Sequence, residues 1–379
     1  DEVQMFPTDY LYPILYAVKE LVYRYKCSIV FCSATQPAFQ KRENFSKGIP
    51  DIREIVSDPD TLFNKMKEQR VQEKYLSDSF TIEQMGQRLI ESPDSVLCIV
   101  STRKKAYQLY QETKKGISDN TEVFYLSTYL CPKHRMEVLE KIKSGLVSRE
   151  KKYIVISTQL VEAGVDLDFP VVYRELSGLD SLVQAAGRCN RNALYPNGMF
   201  YVFKWEDGVV NFSDFKPRAE ETELIISGTE ENFLTLKNIH EFYSKYFWRV
   251  DQTKSFDKKD ILEKIKSGRC SLLFPFKSIG EEFHIIPKIQ KTIFIPYDEE
   301  GKRLLCDLQR GNIVRATMRK AQQYLVQVYP HLFEQIAGYT QPLFADTVYL
   351  LEDYVEEIYN KESGLMIEKI QIEGEDLII

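Results

Sequence analysis

The chain has 379 residues and a formal net charge of −6, with 44% hydrophobic and 28% charged residues. That composition describes an ordinary soluble globular protein of two or three domains, and it argues against a molecule that coats nucleic acid through its overall field. Seven cysteines occur without a C-x-x-C pair and no apolar run approaches the ~20 residues of a membrane span, so neither a zinc site, a disulfide framework nor a membrane protein is indicated, and reduced thiols fit the cytoplasm.

In chain order, Asp1-Glu2-Val3-Gln4 sets two carboxylates side by side. Leu11, Ile14, Leu15, Val18, Leu21 and Val22 then recur at helical spacing, and Cys27–Phe31 predicts a short apolar strand ending before Ser33-Ala34-Thr35. Residues 41–72 are charged and poorly periodic and read as a crossover between domains. Ile82, Met85, Leu89 and Ile90 mark a helix, and Val96–Val100 a buried strand with Ser101-Thr102-Arg103-Lys104-Lys105 at its C-terminal end. That end is the usual ligand edge of an open α/β sheet. The hydroxyls and cations there suit either a grip on backbone phosphates or a helix cap with a solvated first turn. Val123–Leu126 is another strand, ending in Ser127-Thr128, and Lys133-His134-Arg135 opens the next helix.

The most informative stretch is 157–192. The strand Tyr153–Ile156 runs into a loop with Thr158-x5-Gly164-x-Asp166; Asp180–Cys189 reads as a helix burying Leu182, Val183 and Ala186 and carrying Gln184-x-x-Gly187-Arg188-x-x-Arg191. Arginine is always charged and grips phosphate oxygens in bidentate fashion, so two of them a turn apart beside a strand-edge loop suit a site of phosphoryl transfer. A solvated basic face explains Gly-Arg-x-x-Arg alone. Both segments together, in order, resemble the core of a superfamily 2 helicase. Strands at Val171–Arg174 and Met199–Phe203 continue the alternation, which predicts a mostly parallel sheet covered by helices on both faces.

After Lys204, Pro217–Ile226 and Glu231–Trp248 read as helices, the second with a core-facing row of Phe233, Leu236, Ile239, Tyr243 and Phe247. Ser271–Phe276, Phe283–Ile286 and Thr292–Ile295 are strand candidates and Pro296–Gly301 a turn. Arg315, Arg319 and Lys320 share a helix that either meets phosphates or forms a solvated face. From Glu352 onward acidic residues dominate, a poor surface for nucleic acid.

With these residues in place, the chain resembles the helicase portion of the signature helicase-nuclease of type I CRISPR systems. The resemblance rests on Asp1-Glu2-Val3-Gln4, Ser33-Ala34-Thr35-Gln36-Pro37, the segment 157–166, and Gln184-Ala185-Ala186-Gly187-Arg188-Cys189-Asn190-Arg191; it extends more loosely to Ala316–Val328 and Tyr359–Leu365. It implies two RecA-like domains with ATP between them. Asp1 would hold Mg2+ through water and Glu2 orient the attacking water. Gln184, Arg188 and Arg191 would act on the phosphates, with Gln4, Gly164 and Asp166 on the nucleotide and Asp166 at the ribose. Ser33 and Thr35 would couple nucleotide state to DNA grip, while Thr102, Arg103, Ser127, Arg135, Thr158 and Gln159 would hold the single strand. The implied partners are single-stranded DNA, a guide-RNA surveillance complex and an HD nuclease domain in the parent chain. The implied cofactors are ATP and Mg2+, and the implied movement is 3′ to 5′.

The departures are equally specific. No G-x-x-x-x-G-K-[ST] phosphate loop and no His-Asp pair occurs in the sequence. The expectation is therefore a C-terminal fragment, inactive alone as ATPase and nuclease, with the apolar face of helix Leu11–Val22 left to seek another partner such as a second chain. The expected division is 1–60 for the end of a first RecA-like domain, 61–212 for a second, 213–270 for a helical linker and 271–379 for an α+β accessory domain. Another superfamily 2 motor and a non-enzymatic module binding DNA or the surveillance complex stay open, and a Rossmann-type metabolic enzyme is remote because no dinucleotide Gly-rich turn exists.

Overall fold

The computed structural model describes the chain except residues 44, 69, 210–214, 230, 253–254, 272, 286–289, 312–313, 345–347, 352–357 and 368–379. In chain order the elements are α1 (Leu11–Tyr25), α2 (Pro59–Glu68), β1 (Val71–Phe80), α3 (Ile82–Glu91), β2 (Val96–Ile99), α4 (Arg103–Lys115), β3 (Thr121–Leu126), α5 (Pro132–Ser148), β4 (Lys152–Ser157), β5 (Val171–Glu175), α6 (Leu179–Ala186) and β6 (Gly198–Trp205). Then follow α7 (Phe215–Ile226), α8 (Leu236–Gln252), α9 (Ile261–Ser271), α10 (Phe276–Glu282), β7 (Lys291–Phe294), α11 (Glu299–Gln309), α12 (Arg315–Ala321), β8 (Leu325–Val328), α13 (Pro330–Ile336), β9 (Thr340–Phe344), β10 (Val348–Leu351) and a short hairpin, β11 (Tyr359–Asn360) with β12 (Gly364–Leu365). The chain divides into two compact units, one of residues 1–75, 176–184 and 212–288, the other of 76–175, 185–211 and 289–379.

The second unit carries the expected α/β architecture. Its six-stranded sheet has the order β1-β6-β5-β2-β4-β3, in which β6 with β5, β5 with β2, β2 with β4 and β4 with β3 pair in parallel. Every residue of β2 and β5 is buried, as a sheet covered on both faces requires. Met85 and Leu89 of α3 and Ala106, Leu109 and Tyr110 of α4 pack on Val96, Cys98, Ile154 and Ile156. A capping box at Thr81 and Gln84 starts α3. On the other flank α5 approaches β4 so closely that a Cβ at Gly145 would lie 2.1 Å from the Tyr153 ring.

The same unit contains a second sheet of order β8-β7-β10-β9, in which β7 and β10 pair in parallel and the outer pairs are antiparallel. Ile293, Ile295, Val326, Val328, Leu332 and Phe333 form its core on one side, Phe294, Leu304 and Tyr324 on the other. This is the small α+β region expected at the C-terminal end.

The first unit is helical and aromatic. Tyr12, Phe39, Phe45, Phe247 and Phe256 interlock with ring centroids 5.0–6.0 Å apart. The row expected along α8 faces this core, with Tyr243 2% exposed. Leu11, Tyr12 and Leu15 of α1 are buried, whereas Leu21, Val22, Tyr23 and Tyr25 are exposed; half of the expected bare face is thus covered from within the unit.

Several expectations give way. Cys27–Phe31 is not a strand: it is irregular and mostly exposed, because a four- or five-residue apolar run needs a paired neighbour to satisfy its backbone. The run 41–72 contains α2 and the start of β1 rather than a bare crossover. Residues 273–275 and Phe283–Ile285 are not strands either, Ile286 lies outside the described residues, and Pro296–Gly301 turns into α11 at Glu299. Helix α6 ends at Ala186, before Cys189, and α8 begins at Leu236 rather than Glu231. Strands β8, β9 and β10 were not anticipated. Much of the acidic tail from Glu352 lies outside the described residues. Among those described, no helix is long and apolar enough to cross a membrane.

Candidate functional site

In the first unit, the opening carboxylates and the Ser-Ala-Thr segment meet. Glu2 sits at φ 52°, and its N–H donates to the Asp1 carboxylate at 3.0 Å. The Glu2 carboxylate accepts from the Gln4 side-chain amide and from Gln184 Nε2 at 3.3 Å. The Ser33 hydroxyl faces Gln4 Oε1 and the Thr35 carbonyl, while Thr35 N–H donates to Ser33 Oγ at 3.1 Å. Thr35 Oγ1 then lies 3.3 Å from the Tyr243 hydroxyl, and burial with the nearby Asp180 carboxylate pushes the Tyr243 pKa well up. Asp180 is paired with Arg218 of α7. Glu2, Gln4, Ser33, Thr35 and Gln184 therefore form one hydrogen-bonded line. Its continuation through Tyr243 to Asp180 and Arg218 was not read from the sequence, where Tyr243 looked like plain core. Among the described residues no group of three or more His, Cys, Asp or Glu side chains could hold a metal by itself. Magnesium bound with a nucleotide needs only one or two carboxylates besides phosphates, and the exposed Asp1 fits that requirement.

In the second unit, β2, β4 and β3 are adjacent, so the loops after them share one edge. Val100 N–H donates to the Ser157 carbonyl at 2.9 Å and Thr158 N–H to the Leu126 carbonyl at 3.1 Å. Thr102, Ser127 and Thr158 are thus brought together. Their hydroxyls are buried: Thr102 caps α4 by accepting from Lys105 N–H at 3.2 Å, and Ser127 accepts from Tyr129 N–H at 3.2 Å. Thr158 Oγ1 is buried without a hydrogen-bond partner among the described residues. Arg103, expected to reach a phosphate, is only 4% exposed; it lies 4.2 Å over the Tyr129 ring and donates to Thr128 Oγ1 at 3.1 Å. It braces the loops instead of reaching outward, because stacking and a neutral acceptor compensate its burial. Lys104 is exposed at this edge, and Thr128, Lys133, Arg135 and Gln159 are half-buried.

The loop after β4 is held between arginines. Arg188 is buried and donates to the Glu162 carbonyl at 2.6 Å. The Glu162 carboxylate pairs with Arg174 Nε at 2.8 Å, and Arg174, fully buried on β5, also donates to Ser101 Oγ at 3.3 Å and the Glu175 carbonyl at 3.1 Å. Ser101 N–H donates to Glu175 Oε2 at 2.6 Å. Sequence reasoning missed this network, although a charged residue inside a run of buried strand residues was its signal. Further along, Gly164 adopts φ +69° with open space around it, a conformation that suits glycine. Asp166 is exposed and lies 3.5 Å from Arg191 Nε. Asp168 accepts from the Arg191 and Asn192 N–H groups at 2.7 and 3.0 Å, and Asn190 takes φ 44°. Arg191 is thereby presented at the surface on a pinned turn, while Arg188 is turned inward. The cavity of about 360 Å³ lined by Pro93, Asn120, Arg149 and Lys151 sits at the opposite, N-terminal ends of the strands.

Residues 92–194, which include the three strand-end loops and the arginine turn, match the family model described as the C-terminal region of the CRISPR-associated nuclease/helicase Cas3. Over this segment the chain is similar to the Cas3 nuclease/helicases. The Cas3 of Methanothermobacter thermautotrophicus is 30% identical over 208 residues, covering 51% of this chain and 23% of that protein. The Cas3 of Haloferax volcanii is 51% identical over 55 residues, 14% of this chain and 6% of that protein. The chain therefore spans less than a quarter of the length of these Cas3 relatives. A crystal structure of T. fusca Cas3 superposes with a TM-score of 0.48 at 12% identity, over 74% of this chain and 39% of that one.

Proposed function

We propose that the chain is the C-terminal part of an ATP-driven motor that moves on single-stranded DNA and helps degrade invader DNA in type I CRISPR interference. The observation that carries this reading is the loop from Ser157 to Asp168. Its first residues bond to the strand ends of the Ser101 and Ser127 loops, and its last residues lie against Arg191. One short segment thus spans a DNA-gripping edge and a phosphate-seeking guanidinium, which is what transmission between hydrolysis and movement requires. ATP with its magnesium supplies the reacting phosphoryl group when bound. Asp1 is the residue to hold the metal, through water, and Glu2, kept in place by Gln4 and Gln184, is positioned to orient a water. Asp166 serves the ribose. Arg191 meets the phosphates, and Arg188 keeps the loop in register through the Glu162 carbonyl. In the longer protein the partners are single-stranded DNA, a guide-RNA surveillance complex and an HD nuclease domain.

By itself the chain turns over no ATP and cuts no DNA, since its sequence contains neither a phosphate loop nor a His-Asp pair. An arginine finger contributes about 10^3–10^5 in rate only where nucleotide and metal are already positioned. A coupled ATPase assay of the purified chain with single-stranded DNA tests this. Background rates are expected; DNA-stimulated turnover abolished by Arg191→Ala would overturn the inactivity and keep the motor.

A further inference from the structure

The segment Tyr359–Leu365 has no part in the reading above, yet it touches both helices that carry the DNA edge. On the α5 side, Leu365 N–H donates to the Tyr129 carbonyl at 3.0 Å, and Cys131 N–H donates to the Tyr359 hydroxyl at 3.1 Å. His134 Nε2 faces the Lys361 carbonyl at 3.0 Å and so must carry a hydrogen; Nδ1 therefore accepts from the Tyr359 hydroxyl at 2.9 Å. On the α4 side, Glu362 accepts from the Tyr110 hydroxyl at 3.0 Å and pairs with Lys114 at 2.5 Å. The hairpin is itself stapled by Asn360 Oδ1, which accepts from the N–H groups of Glu362 and Ser363 at 2.9 and 2.6 Å. Tyr129 and Cys131 belong to the core of the C-terminal sheet, beside Tyr359 and Leu365. The Arg103 guanidinium rests on the same Tyr129 ring.

Gly364 makes the approach possible. It adopts φ +74°, and a Cβ there would stand 2.4 Å from the Tyr129 carbonyl oxygen. Any side chain must push the hairpin off the loop.

We infer that the hairpin β11–β12 is a positioning clamp that fixes the 127–131 loop and, through Tyr110 and Lys114, the C-terminal half of α4, and thereby sets the grip on the DNA backbone. The inference rests on the assignment of that edge to single-stranded DNA. Its residues touch no DNA; they act through Tyr129, Cys131 and α4. A floating loop spends only a fraction of its time competent to bind, and apparent affinity falls by that fraction.

The test is fluorescence anisotropy of a labelled oligo-dT with the whole chain over a salt series, for the unaltered protein, Gly364→Ala and Gly311→Ala. Gly311 has φ +81° with nothing within 4 Å of a built Cβ, so its alanine variant carries a similar backbone strain without the clash. Gly364→Ala is expected to bind about tenfold more weakly, with a salt slope reduced by about 0.7 for each phosphate that is no longer neutralised, while Gly311→Ala follows the unaltered protein. Tyr359→Phe, which keeps the ring and removes the hydroxyl, should bind a few-fold more weakly and exchange the Cys131 amide faster; it serves if Gly364→Ala does not fold. Equal affinity and slope in Gly364→Ala and Gly311→Ala, or Tyr359→Phe with a freed Cys131 amide and unchanged binding, overturns the clamp alone. No salt-dependent binding by the unaltered chain overturns the DNA assignment and the clamp with it.

Discussion

At Glu162, the backbone carbonyl and the side-chain carboxylate of one residue serve two arginines, Arg188 and Arg174. A buried ion pair gains little over a packed apolar pair, but stripping one partner leaves a charge in a medium that cannot solvate it. Arg174→Ala should therefore cost about 3–5 kcal/mol in urea unfolding, whereas Arg174→Met combined with Glu162→Leu should recover most of that loss. A second residue reports on the C-terminal hairpin. Burial holds the His134 imidazole below its ordinary pKa, against a smaller opposing push from the Lys361 carbonyl. In the unfolded chain it takes up a proton near pH 6.5. On acidification through that value the unfolded state binds a proton that the folded state refuses, so this contribution to stability is present above the unfolded pKa and is lost as pH falls. Denaturant titrations from pH 7.5 to 5.5 should show stability falling, by at most about 1.4 kcal/mol per pH unit from this group, and His134→Asn should flatten the slope. Burial also raises the Glu73 pKa, against the pull of Lys67. Its effect has the opposite sign and is present in both proteins, so the difference between them isolates the imidazole.

Among the elements, α5 depends on one missing side chain. With Tyr153 2.1 Å from a built Cβ, Gly145→Ala must shift either the ring or the helix and should lower stability by about 1–3 kcal/mol. Gly280→Ala, on an exposed face of α10 with nothing within 4 Å, should leave stability unchanged or raise it by up to about 1 kcal/mol. Paired thermal melts separate the two. The sequence made the large sheet legible because fully buried parallel strands are short apolar runs, as in Val96–Ile99 and Tyr153–Ile156, and the helices between them keep a helical period. It misled at Cys27–Phe31 for a complementary reason: an apolar run becomes a strand only where another strand pairs with it. Strands β8 to β10 went unread because their alternation is weak and their partners are distant in sequence, Thr292 pairing with Gln327 and Val348. Within the site, motif order placed Thr158, Asp166 and Arg191 on one connected segment, yet it could not show that Arg103 and Arg188 point inward. Burial of a guanidinium depends on a ring such as Tyr129 or a carbonyl such as that of Glu162, and neither can be located without the fold.

On the scale of the molecule, the net charge of −6 and the proposed grip on a polyanion are compatible because the attraction is local. Lys104, Lys133 and Arg135 stand near the strand-end loops, and counterions are released in proportion to the number of phosphates such side chains neutralise. The most direct measurement is the affinity of the whole chain for single-stranded DNA against salt concentration, repeated with Lys104, Lys133 and Arg135 changed to Gln. The account predicts a straight log–log line for the unaltered chain and a shallower one for the variant, by about 0.7 for each phosphate left without its cation. Binding that ignores salt, or a slope that the three changes leave untouched, would contradict it.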